Sequence, residues 1–252
     1  MRLFLGIDAS NWICCLWHAQ NGRGVLDAVC RRLEALVEYL EPSHVVACFD
    51  RRSFRHDLYP TYKAHRKPKP AGLQAVLDEG PAALGTIAVP CAVDGYEADD
   101  CLATVARDAI AAGSRAVIAS PDKDLNQCLV PDQVTILRHF ILGNDGLRSL
   151  DWWNAAALQK HFGLTPAQWI DFQTLVGDSG DGVPGCKGWG EKTTLPALQA
   201  AGTIEAMLAN PWALKISPKQ QQALLAFRPQ LDLMRQLITL RPDVPEVWDA
   251  LR

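Results

Sequence analysis

Four small groups of carboxylates stand out in this chain of 252 residues. One lies in GYEADDCLATVARDA (95–109), where three acids fall within four positions at the head of an apolar helical pattern. Buried carboxylates are costly, and several together are unstable unless they are neutralised. Hard divalent cations provide that neutralisation, and Mg²⁺ uses a few carboxylates and several waters. The groups are Asp8 with Asp50; Glu97 with Asp99 and Asp100; Asp122 with Asp124; and Asp178 with Asp181.

The chemistry that such groups support is phosphodiester cleavage assisted by metal ions. Two divalent cations about 3.5–4 Å apart activate a water and stabilise both the attacking and the leaving oxygen. Any one of these acids also has a plainer interpretation, as a helix N-cap or a solvated loop charge. Because four groups fall together at strand and helix ends, the sequence favours the metal interpretation.

Alternating strand and helix patterns provide the elements that position these acids. The alternation is typical of a mostly parallel sheet with helices on its faces, an α/β fold. Ligands of such sheets lie beyond the carboxyl ends of the strands, so Asp8, Asp50, Asp122 and Asp124 are expected to converge there. The predicted strands are 3–8, 44–50, 87–93, 115–124 and 133–137, and the predicted helices are 25–40 and 97–112.

A glycine-rich loop, GVPGCKGWGEKT at 182–193, is the second chemical feature. Closely spaced glycines bring backbone N–H groups against a phosphate, and the helix that follows adds a favourable dipole. Lys187 and Lys192 add positive charge for contacts to the phosphate backbone, which do not depend on the base sequence. The P-loop spacing and its preceding strand are absent, which excludes that nucleotide site. A purely structural turn is the other interpretation of the loop.

A basic stretch, SFRHDLYPTYKAHRKPKP at 53–70, interleaves positive charges with Tyr59 and Tyr62. Such a stretch suits a nucleic-acid single strand, whose phosphates contact Lys and Arg and whose bases stack on aromatic rings. A solvated charged face is the plainer alternative, but the position directly after the strand that carries Asp50 favours nucleic acid. Residues 51–80 hold few apolar side chains, so we expect a mobile loop or arch there.

The bulk composition describes an ordinary globular protein. Hydrophobic residues make up 48% and charged residues 21%, and no segment is typical of a membrane span or signal peptide. The net charge is −3, but assigning nine of the 28 acids to metal ions leaves 19 against 25 basic residues, a balance that suits nucleic acid. The eight cysteines form no C-x-x-C pair, which favours reduced core thiols in a cytoplasmic protein over a zinc site.

The character of the sequence changes near residue 150. Residues 1–150 predict an α/β catalytic domain with a basic arch at about 51–80. Residues 151–252 predict a helical part that carries the glycine-rich loop at 182–190. Within it, LDWWNAAALQKHFG (150–163) and TPAQWIDFQTLVG (165–177) predict helices, the second with Thr165 as N-cap and Pro166 at its first position.

Six blocks of sequence together resemble the flap endonuclease and 5′→3′ exonuclease family, which includes the nuclease domain at the N-terminus of bacterial DNA polymerase I. They occur in the family's order, cover most of the chain and stop near residue 240; without a polymerase domain, a free-standing nuclease is expected. The resemblance implies a PIN-like 5′-nuclease sheet and a C-terminal helix–three-turn–helix element. The blocks are GIDASN (6–11), FD (49–50), SFRHDLYPTYKAHR (53–66), YEADD (96–100), PDKDL (121–125) and GDSGDGVPGCKGWGEKT (177–193).

The resemblance also implies two bound Mg²⁺ ions, with Mn²⁺ as an alternative. Some paralogues have lost acids of the second site, whereas this chain keeps every one, so an active nuclease is expected. The implied ligands of the first ion are Asp8, Asp50, Glu97, Asp99 and Asp100, and those of the second are Asp122, Asp124, Asp178 and Asp181.

Lys63 and Arg66 are the catalytic side chains that the resemblance implies, because both would stabilise charge on the scissile phosphate. With Tyr62 they correspond to the helical arch, which meets an unpaired 5′ end. The helix–three-turn–helix element grips duplex backbone, often with a K⁺ ion, which would lie at the 182–190 loop. The residues expected to contact DNA are Arg55, Tyr62, Lys63, Arg66, Lys67, Gly185, Lys187, Gly188, Gly190, Lys192 and Thr193.

Three residues depart from the family's pattern. Gly182 stands where the family usually has Asn, and Trp189 replaces a small aliphatic residue. Pro196 falls where the next helix should be running and is expected to kink or delay it. These departures bear on K⁺ and duplex binding more than on the chemistry.

The expected function is a structure-specific 5′ nuclease, a 5′→3′ exonuclease or flap endonuclease that acts as a monomer on branched or nicked DNA. RNA in an RNA–DNA hybrid is a further expected substrate, and the product carries a 5′-phosphate. Two alternatives stay open, a non-catalytic DNA-structure-binding paralogue and a PIN-like ribonuclease. Another kind of phosphohydrolase would leave the glycine-rich loop and the basic stretch unexplained.

Overall fold

The computed structural model describes residues 2–245 and residue 247. Contacts divide the chain into two compact units. The described residues of the first unit lie within Met1–Ser53, Lys67–Asn154 and Leu240–Arg252, and the second unit consists of Phe54–Arg66 and Ala155–Thr239. None of the helices in the described part of the chain is long and apolar enough to cross a membrane.

Strands and helices alternate through the first part of the chain, as predicted. The strands are β1 (Leu3–Asp8), β2 (His44–Cys48), β3 (Val89–Cys91), β4 (Arg115–Ala119), β5 (Val134–Gly143), β6 (Gly146–Trp153), β7 (Gly177–Asp178) and β8 (Val183–Pro184). The α-helices are α1 (Ala9–Gln20), α2 (Val25–Leu40), α3 (Arg55–Leu58), α4 (Ala71–Leu84), α5 (Ala98–Ala111), α6 (Ala155–Phe162), α7 (Pro166–Val176), α8 (Glu191–Ala201), α9 (Ile204–Ala209), α10 (Pro218–Phe227) and α11 (Leu231–Ile238).

The first unit is built on a six-stranded sheet in the order β3-β2-β1-β4-β5-β6. The first five strands in this order run parallel to one another, and β6 pairs antiparallel with β5. The predicted α/β class with a mostly parallel sheet flanked by helices is therefore confirmed. The order also places β1 directly between β2 and β4, so the carboxyl ends of these three strands are neighbours.

Helices cover both faces of this sheet. On one face Leu5 and Ile7 of β1 belong to a buried cluster with residues of α1, α2 and α4, among them Leu33. On the other face α5 lies close to β1, because Gly6 has no side chain: a Cβ there would lie 2.7 Å from Leu102 Cδ2. This close packing fixes the start of α5 beside the strand ends.

Two sequence predictions about this unit are wrong. Residues 150–153 belong to β6 and not to a helix, since Trp153 pairs with Ile136 across the edge of the sheet and aromatic side chains favour strands. The expected loop does not extend to residue 80, because α4 begins at Ala71 and its Leu73 and Leu77 are buried in the core.

The second unit is mainly helical, with one short antiparallel pair, β7 with β8. Thr165 caps α7 as predicted, and its hydroxyl accepts the N–H of Gln168. Pro196 does not delay the next helix as predicted, since α8 begins at Glu191 and runs through Pro196 to Ala201; the predicted kink stays a prediction. The turn before it brings Gly185 so close to residues 175 and 176 that a Cβ would lie 2.4 Å from the Val176 backbone.

Candidate functional site

The carboxylates of β1 and the segment after β4 meet at the carboxyl edge of the sheet. Asp8 is the last residue of β1 and is only 5% exposed. Its Oδ1 accepts the backbone N–H of Asn11 at 2.9 Å, and its Oδ2 accepts the Ser120 hydroxyl at 3.2 Å. The same Ser120 Oγ accepts the N–H of Asp122 at 3.2 Å. Ser120 therefore links two of the predicted metal ligands.

The start of helix α5 adds acids to the same edge. Asp50, just beyond β2, accepts the N–H of Ala98 at 3.0 Å, and its own N–H donates to the Ser10 hydroxyl at 2.9 Å. Glu97 is the N-cap of α5, and Asp99 lies in its first turn. The positive end of the helix dipole favours negative charge at these positions.

The charges of five carboxylates of the first unit act on Asp8 and Asp99 or belong to them. Burial raises the pKa of Asp8 to about 7, with a further contribution from the charges of Asp50 and Asp122. Burial also raises the pKa of Asp99 well above its ordinary value, as do the nearby charges of Asp122, Asp8, Glu97 and Asp50, in decreasing order. The structure thus brings together Asp8, Asp50, Glu97, Asp99 and Asp122.

This five-carboxylate cluster suits a divalent cation. Its members offer oxygen ligands, and the raised pKa values of Asp8 and Asp99 mean that their negative charges lack compensation from the protein. Mg²⁺ and related hard cations bind oxygen ligands and supply that compensation. A cation would therefore lower the free energy of the ionised cluster.

Asp100, which the sequence predicts as a metal ligand, accepts hydrogen bonds from two backbone groups. It is fully buried, and its Oδ2 accepts the N–H of Glu97 at 3.2 Å in a reciprocal capping box. Its Oδ1 accepts the N–H of Arg241 at 2.8 Å. Donors thus contact both oxygens of Asp100, as they do both oxygens of Asp8, and the role of Asp100 as a ligand stays a prediction.

Asp124 follows Asp122 by two residues, in the first turn of a short helix at Lys123–Cys128. Its N–H donates to Asp122 Oδ1 at 2.8 Å, which fixes the orientation of the Asp122 carboxylate. The Lys123 ammonium group lies 3.9 Å from Asp124 Oδ1, and that lysine is about half exposed.

In the second unit, Asp178 ends β7, and Asp181 lies in the turn between β7 and β8. Asp178 Oδ1 accepts the N–H groups of Gly180 at 2.8 Å and of Asp181 at 3.2 Å. The Asp181 carboxylate contacts the three predicted arch residues. Tyr62 donates its hydroxyl to Oδ2 at 2.9 Å, Lys63 Nζ lies 3.6 Å from Oδ2, and Arg66 pairs with Oδ1.

The glycine-rich loop exposes backbone ahead of helix α8. Gly188 has a φ of +79°, which favours glycine, and a Cβ at Gly188 or Gly190 would meet no atom within 4 Å. Lys187 and Lys192 are exposed beside them, and Gly190 is the N-cap of α8. The loop therefore has the open backbone and the flanking charge that a phosphate contact needs.

Gln220 supports this loop and is absent from the predicted set. Its Nε2 donates to the Gly188 carbonyl at 3.2 Å and to Thr193 Oγ1 at 3.0 Å. Trp189, the predicted departure, is buried, and its Nε1 donates to the Gln220 carbonyl at 3.1 Å. The indole and the amide together hold the loop against the start of α10.

Sequence reasoning could find part of this support. The pattern S-x-x-Q at 217–220 is a capping box, and the structure contains it. It predicts where α10 starts, but no sequence pattern predicts that the Gln220 amide reaches the loop. Ser10 and Ser120 lie next to predicted ligands, but the sequence pattern indicates only the acids and not these two hydroxyl groups.

Two of the predicted DNA contacts are buried within the second unit. Arg55 is 2% exposed, and it donates to the carbonyl oxygens of Leu237 at 2.8 Å and Thr239 at 3.0 Å. Tyr62 is 3% exposed, and its ring edge packs against His56 at 5.2 Å between centroids. By contrast, Arg66 is exposed in that unit, and Lys67 is exposed in the first unit.

Sequence families match almost the whole chain. The 5′-3′ exonuclease N-terminal resolvase-like domain matches residues 5–163, and the 5′-3′ exonuclease C-terminal SAM fold matches residues 164–251. The chain belongs to the 5′-3′ exonuclease family. Members of this family are nucleases that hydrolyse phosphodiester bonds, so the predicted family and enzyme class are confirmed.

Curated relatives agree with this assignment. Flap endonuclease Xni of Cronobacter sakazakii is 34% identical over 243 residues, which cover 94% of this chain and 92% of that protein. The thermostable DNA polymerase I of Thermus thermophilus is 38% identical over 207 residues, which cover 80% of this chain and 23% of the polymerase. The predicted similarity to the polymerase nuclease domain is thus confirmed.

Solved structures share the fold of the 5′-3′ exonuclease chain. The T5 5′-exonuclease with bound zinc ions superposes with a TM-score of 0.81 at 18% identity, covering 99% of this chain and 92% of that chain. The bacteriophage T5 D15 flap endonuclease, in a complex with DNA and metal ions, has a TM-score of 0.75 at 19% identity with the same coverage.

Proposed function

We propose that this 5′-3′ exonuclease family member is a structure-specific 5′ nuclease that cleaves DNA at flaps, nicks or free 5′ ends with the help of two Mg²⁺ ions. The observation that carries the proposal is the cluster of Asp8, Asp50, Glu97, Asp99 and Asp122, in which burial and then mutual repulsion raise the pKa values of Asp8 and Asp99. The T5 relatives whose structures contain zinc, or DNA with metal ions, support the same reading.

The proposed reaction is hydrolysis of one phosphodiester. Water attacks phosphorus, the bond to the 3′ oxygen breaks, and the products are a 3′-hydroxyl and a 5′-phosphate. When bound, divalent cations supply charge neutralisation and lower the pKa of water. Asp50 and Asp122 hold their ligand oxygens in fixed orientations because each carboxylate accepts a backbone N–H. Mn²⁺ is expected to substitute for Mg²⁺ because it also prefers oxygen ligands.

Asp100 has a different role in this proposal. We assign it to positioning, since its carboxylate accepts the N–H groups of Glu97 and Arg241 and thereby fixes the first turn of α5. The second predicted set, Asp122, Asp124, Asp178 and Asp181, stays a prediction for the second ion. Of this set, Asp122 also belongs to the five-carboxylate cluster.

Duplex DNA is proposed to bind at the glycine-rich loop. The open backbone of Gly188 and Gly190, the start of α8 and the exposed Lys187 and Lys192 support phosphate contacts there. Such contacts read no sequence, so we include RNA–DNA hybrids among the substrates. The K⁺ ion at 182–190 stays part of the proposal, although the Gly188 carbonyl already accepts the Gln220 amide.

Lys63 and Arg66 are proposed to contact the scissile phosphate, as the sequence predicts. Arg55 and Tyr62 are proposed to act differently from the prediction. Arg55 anchors α3 to the end of α11 through two carbonyl oxygens, and Tyr62 orients Asp181 instead of stacking on a base. Neither buried side chain presents a surface to DNA within its unit.

We also propose that the protein works as a monomer in the cytoplasm. All eight cysteines are free thiols, which suits a reducing compartment. The proposal of a monomer rests on the absence of any sequence feature that calls for an obligate dimer.

The experiment that tests the function is cleavage of a 5′-labelled flap substrate across a Mg²⁺ titration, with EDTA as the metal-free control. Wild-type protein should cleave only with the metal, and Asp122→Asn should reduce kcat by at least about 100-fold while DNA binding persists. Asp145→Asn, an exposed acid on the β5–β6 hairpin, is the matched control and should cleave normally.

The products of the same reaction separate the remaining possibilities. Mononucleotides indicate exonuclease action, and longer fragments that end near the junction indicate flap cleavage. Cleavage of a labelled RNA flap but not of a DNA flap would replace the proposal with a ribonuclease. Unchanged cleavage by Asp122→Asn would overturn the metal assignment, and binding without any cleavage would indicate a non-catalytic DNA-binding protein.

A further inference from the structure

Asp181 is held by three side chains from a single short segment of the second unit. The Tyr62 hydroxyl donates to Oδ2 at 2.9 Å, Lys63 Nζ lies 3.6 Å from the same oxygen, and the Arg66 guanidinium pairs with Oδ1. Arg66 Nε also donates to the Gly180 carbonyl at 3.0 Å. Both carboxylate oxygens therefore face positive charge or a donor.

The backbone is shaped to make this contact. Lys63 has a φ of +53°, in the left-handed region that costs a non-glycine residue energy, and its N–H donates to the Asp181 carbonyl at 2.8 Å. Opposite it, Gly182 has a φ of +72°, and a Cβ there would lie 3.1 Å from the Thr61 carbonyl and 3.3 Å from His65 Nδ1. The absence of a side chain at Gly182 lets the two segments approach.

The arrangement places two positive charges where a cation is expected. The Asp181 side chain is 16% exposed and the Lys63 side chain 18%, so solvent screens their interaction only in part. A divalent cation that approaches the Asp181 carboxylate meets like charge from Lys63 and Arg66, and it competes with them for the same two oxygens.

We infer that Tyr62, Lys63, Arg66 and Asp181 form a latch that keeps Asp181 from binding a cation until DNA is present. A phosphodiester can take over the ion pairs of Lys63 and Arg66, which frees the Asp181 carboxylate for the metal. This Asp181 latch rests on the proposed function, in which Asp181 is a ligand of the second cation. Its consequence is that DNA and metal bind cooperatively.

The latch predicts that removing a positive charge beside Asp181 increases the affinity for a cation. Arg66→Met removes one competing charge, so DNA-free protein should bind Mn²⁺ more tightly even though cleavage becomes slower. A merely structural role for Arg66 predicts the opposite, because loosening the segment around Asp181 would weaken metal binding. Lys63→Met tests the second charge independently and should act in the same direction.

The experiment measures Mn²⁺ binding to the DNA-free protein by the EPR signal of the free ion. Arg66→Met should tighten binding by at least about threefold in the wild-type background, the worth of one partly exposed ion pair. In an Asp181→Asn background the same substitution should change binding by less than about twofold. Arg148→Met is the matched control, since Arg148 is 59% exposed against 53% for Arg66 and also pairs with an aspartate.

Each outcome decides the inference. The latch is supported if Arg66→Met and Lys63→Met bind Mn²⁺ more tightly than the wild type and this gain disappears in the Asp181→Asn background. Unchanged or weaker binding by both variants overturns it and leaves the proposed function intact. If Arg66→Met tightens Mn²⁺ binding equally in the Asp181→Asn background, the released Asp181 carboxylate is not the ligand responsible, and both the second-site assignment and the latch fall. If Arg148→Met tightens Mn²⁺ binding as much as Arg66→Met does, the change in net charge explains the effect, and the latch is overturned.

Discussion

The Asp50 carboxylate accepts a hydrogen bond of 3.0 Å from the backbone N–H of Ala98. This contact ties the segment after β2 to the first turn of α5, and it satisfies one of the free N–H groups at that helix start. Asp99 follows Ala98 directly, so the same contact fixes the position of a third acid beside Asp8 and Asp122. The crowding of carboxylates is thus imposed by the strand ends and the helix start together.

Asp99→Asn is expected to stabilise the metal-free protein while it abolishes cleavage. Burial and the charges of Asp122 and Asp8 raise the pKa of Asp99, so its ionised form is unfavourable at neutral pH. A neutral amide should raise the free energy of unfolding by about 1–2 kcal/mol. Thermal unfolding in EDTA measures this change, with Asp145→Asn as the exposed control. A lower Tm for Asp99→Asn would contradict the electrostatic account.

The stability of the metal-free protein is expected to fall as pH rises through the acidic range. The pKa of Asp8 is raised from an ordinary 3.8 to about 7 by burial and neighbouring charge. Between these values the folded state binds more protons than the unfolded state, so the free energy of unfolding decreases with rising pH. This stabilising contribution of Asp8 is complete below pH 3.8 and is lost above about pH 7. Chemical denaturation from pH 4 to 8 measures it, and saturating Mg²⁺ should flatten the profile.

Gln220→Met is expected to weaken binding of duplex DNA without slowing the chemistry. The substitution removes the hydrogen bonds to the Gly188 carbonyl and to Thr193 Oγ1, so the glycine-rich loop is held less firmly. We expect KM for a flap substrate to rise by about threefold to tenfold with kcat unchanged. Gln222→Met on the exposed side of α10 is the control. A fall in kcat at saturating DNA would indicate that the loop acts on the reacting groups.

Arg55→Met is expected to destabilise the protein. Its guanidinium is buried and donates to the carbonyl oxygens of Leu237 and Thr239, which would lose these donors. The loss should be about 1–3 kcal/mol, which corresponds to a Tm lower by about 2 to 12 °C. Differential scanning calorimetry measures it, and Arg148→Met should shift Tm little because it is exposed. An unchanged Tm together with weakened DNA binding would restore the predicted DNA contact.

Metal and DNA are expected to bind cooperatively if the Asp181 latch operates. Nicked product DNA should tighten Mn²⁺ binding, and Mn²⁺ should tighten DNA binding by the same factor, because the coupling is reciprocal. Fluorescence anisotropy of labelled product DNA with and without Mn²⁺ measures the second half of this linkage. The coupling should shrink in Arg66→Met, whose competing charge is already absent. Equal coupling in the wild-type protein and in Arg66→Met would contradict the proposal that a DNA phosphate replaces Asp181 as the partner of Arg66.

The sequence determined the architecture and most of the acidic site. The carboxyl ends of parallel strands share one edge, so acids at or just after the ends of β1, β2 and β4 must converge once these strands are neighbours. Helix α2 lies at the predicted residues 25–40 because its apolar spacing is strong. The apolar spacing of a helix and the position of an acid at the end of a strand are local properties of the chain, so a sequence pattern reveals both.

The tertiary structure alone decided which side chains face which partners. The carboxylate of Asp100 accepts the N–H of Arg241, which lies 141 positions later. Arg55 is buried because it meets a carbonyl 182 positions away, and β6 extends to Trp153 because β5 lies beside it. Such contacts join segments that are distant along the chain, so local pattern and propensity do not encode them. The sequence places the charges near the site, and long-range packing selects those that face one another.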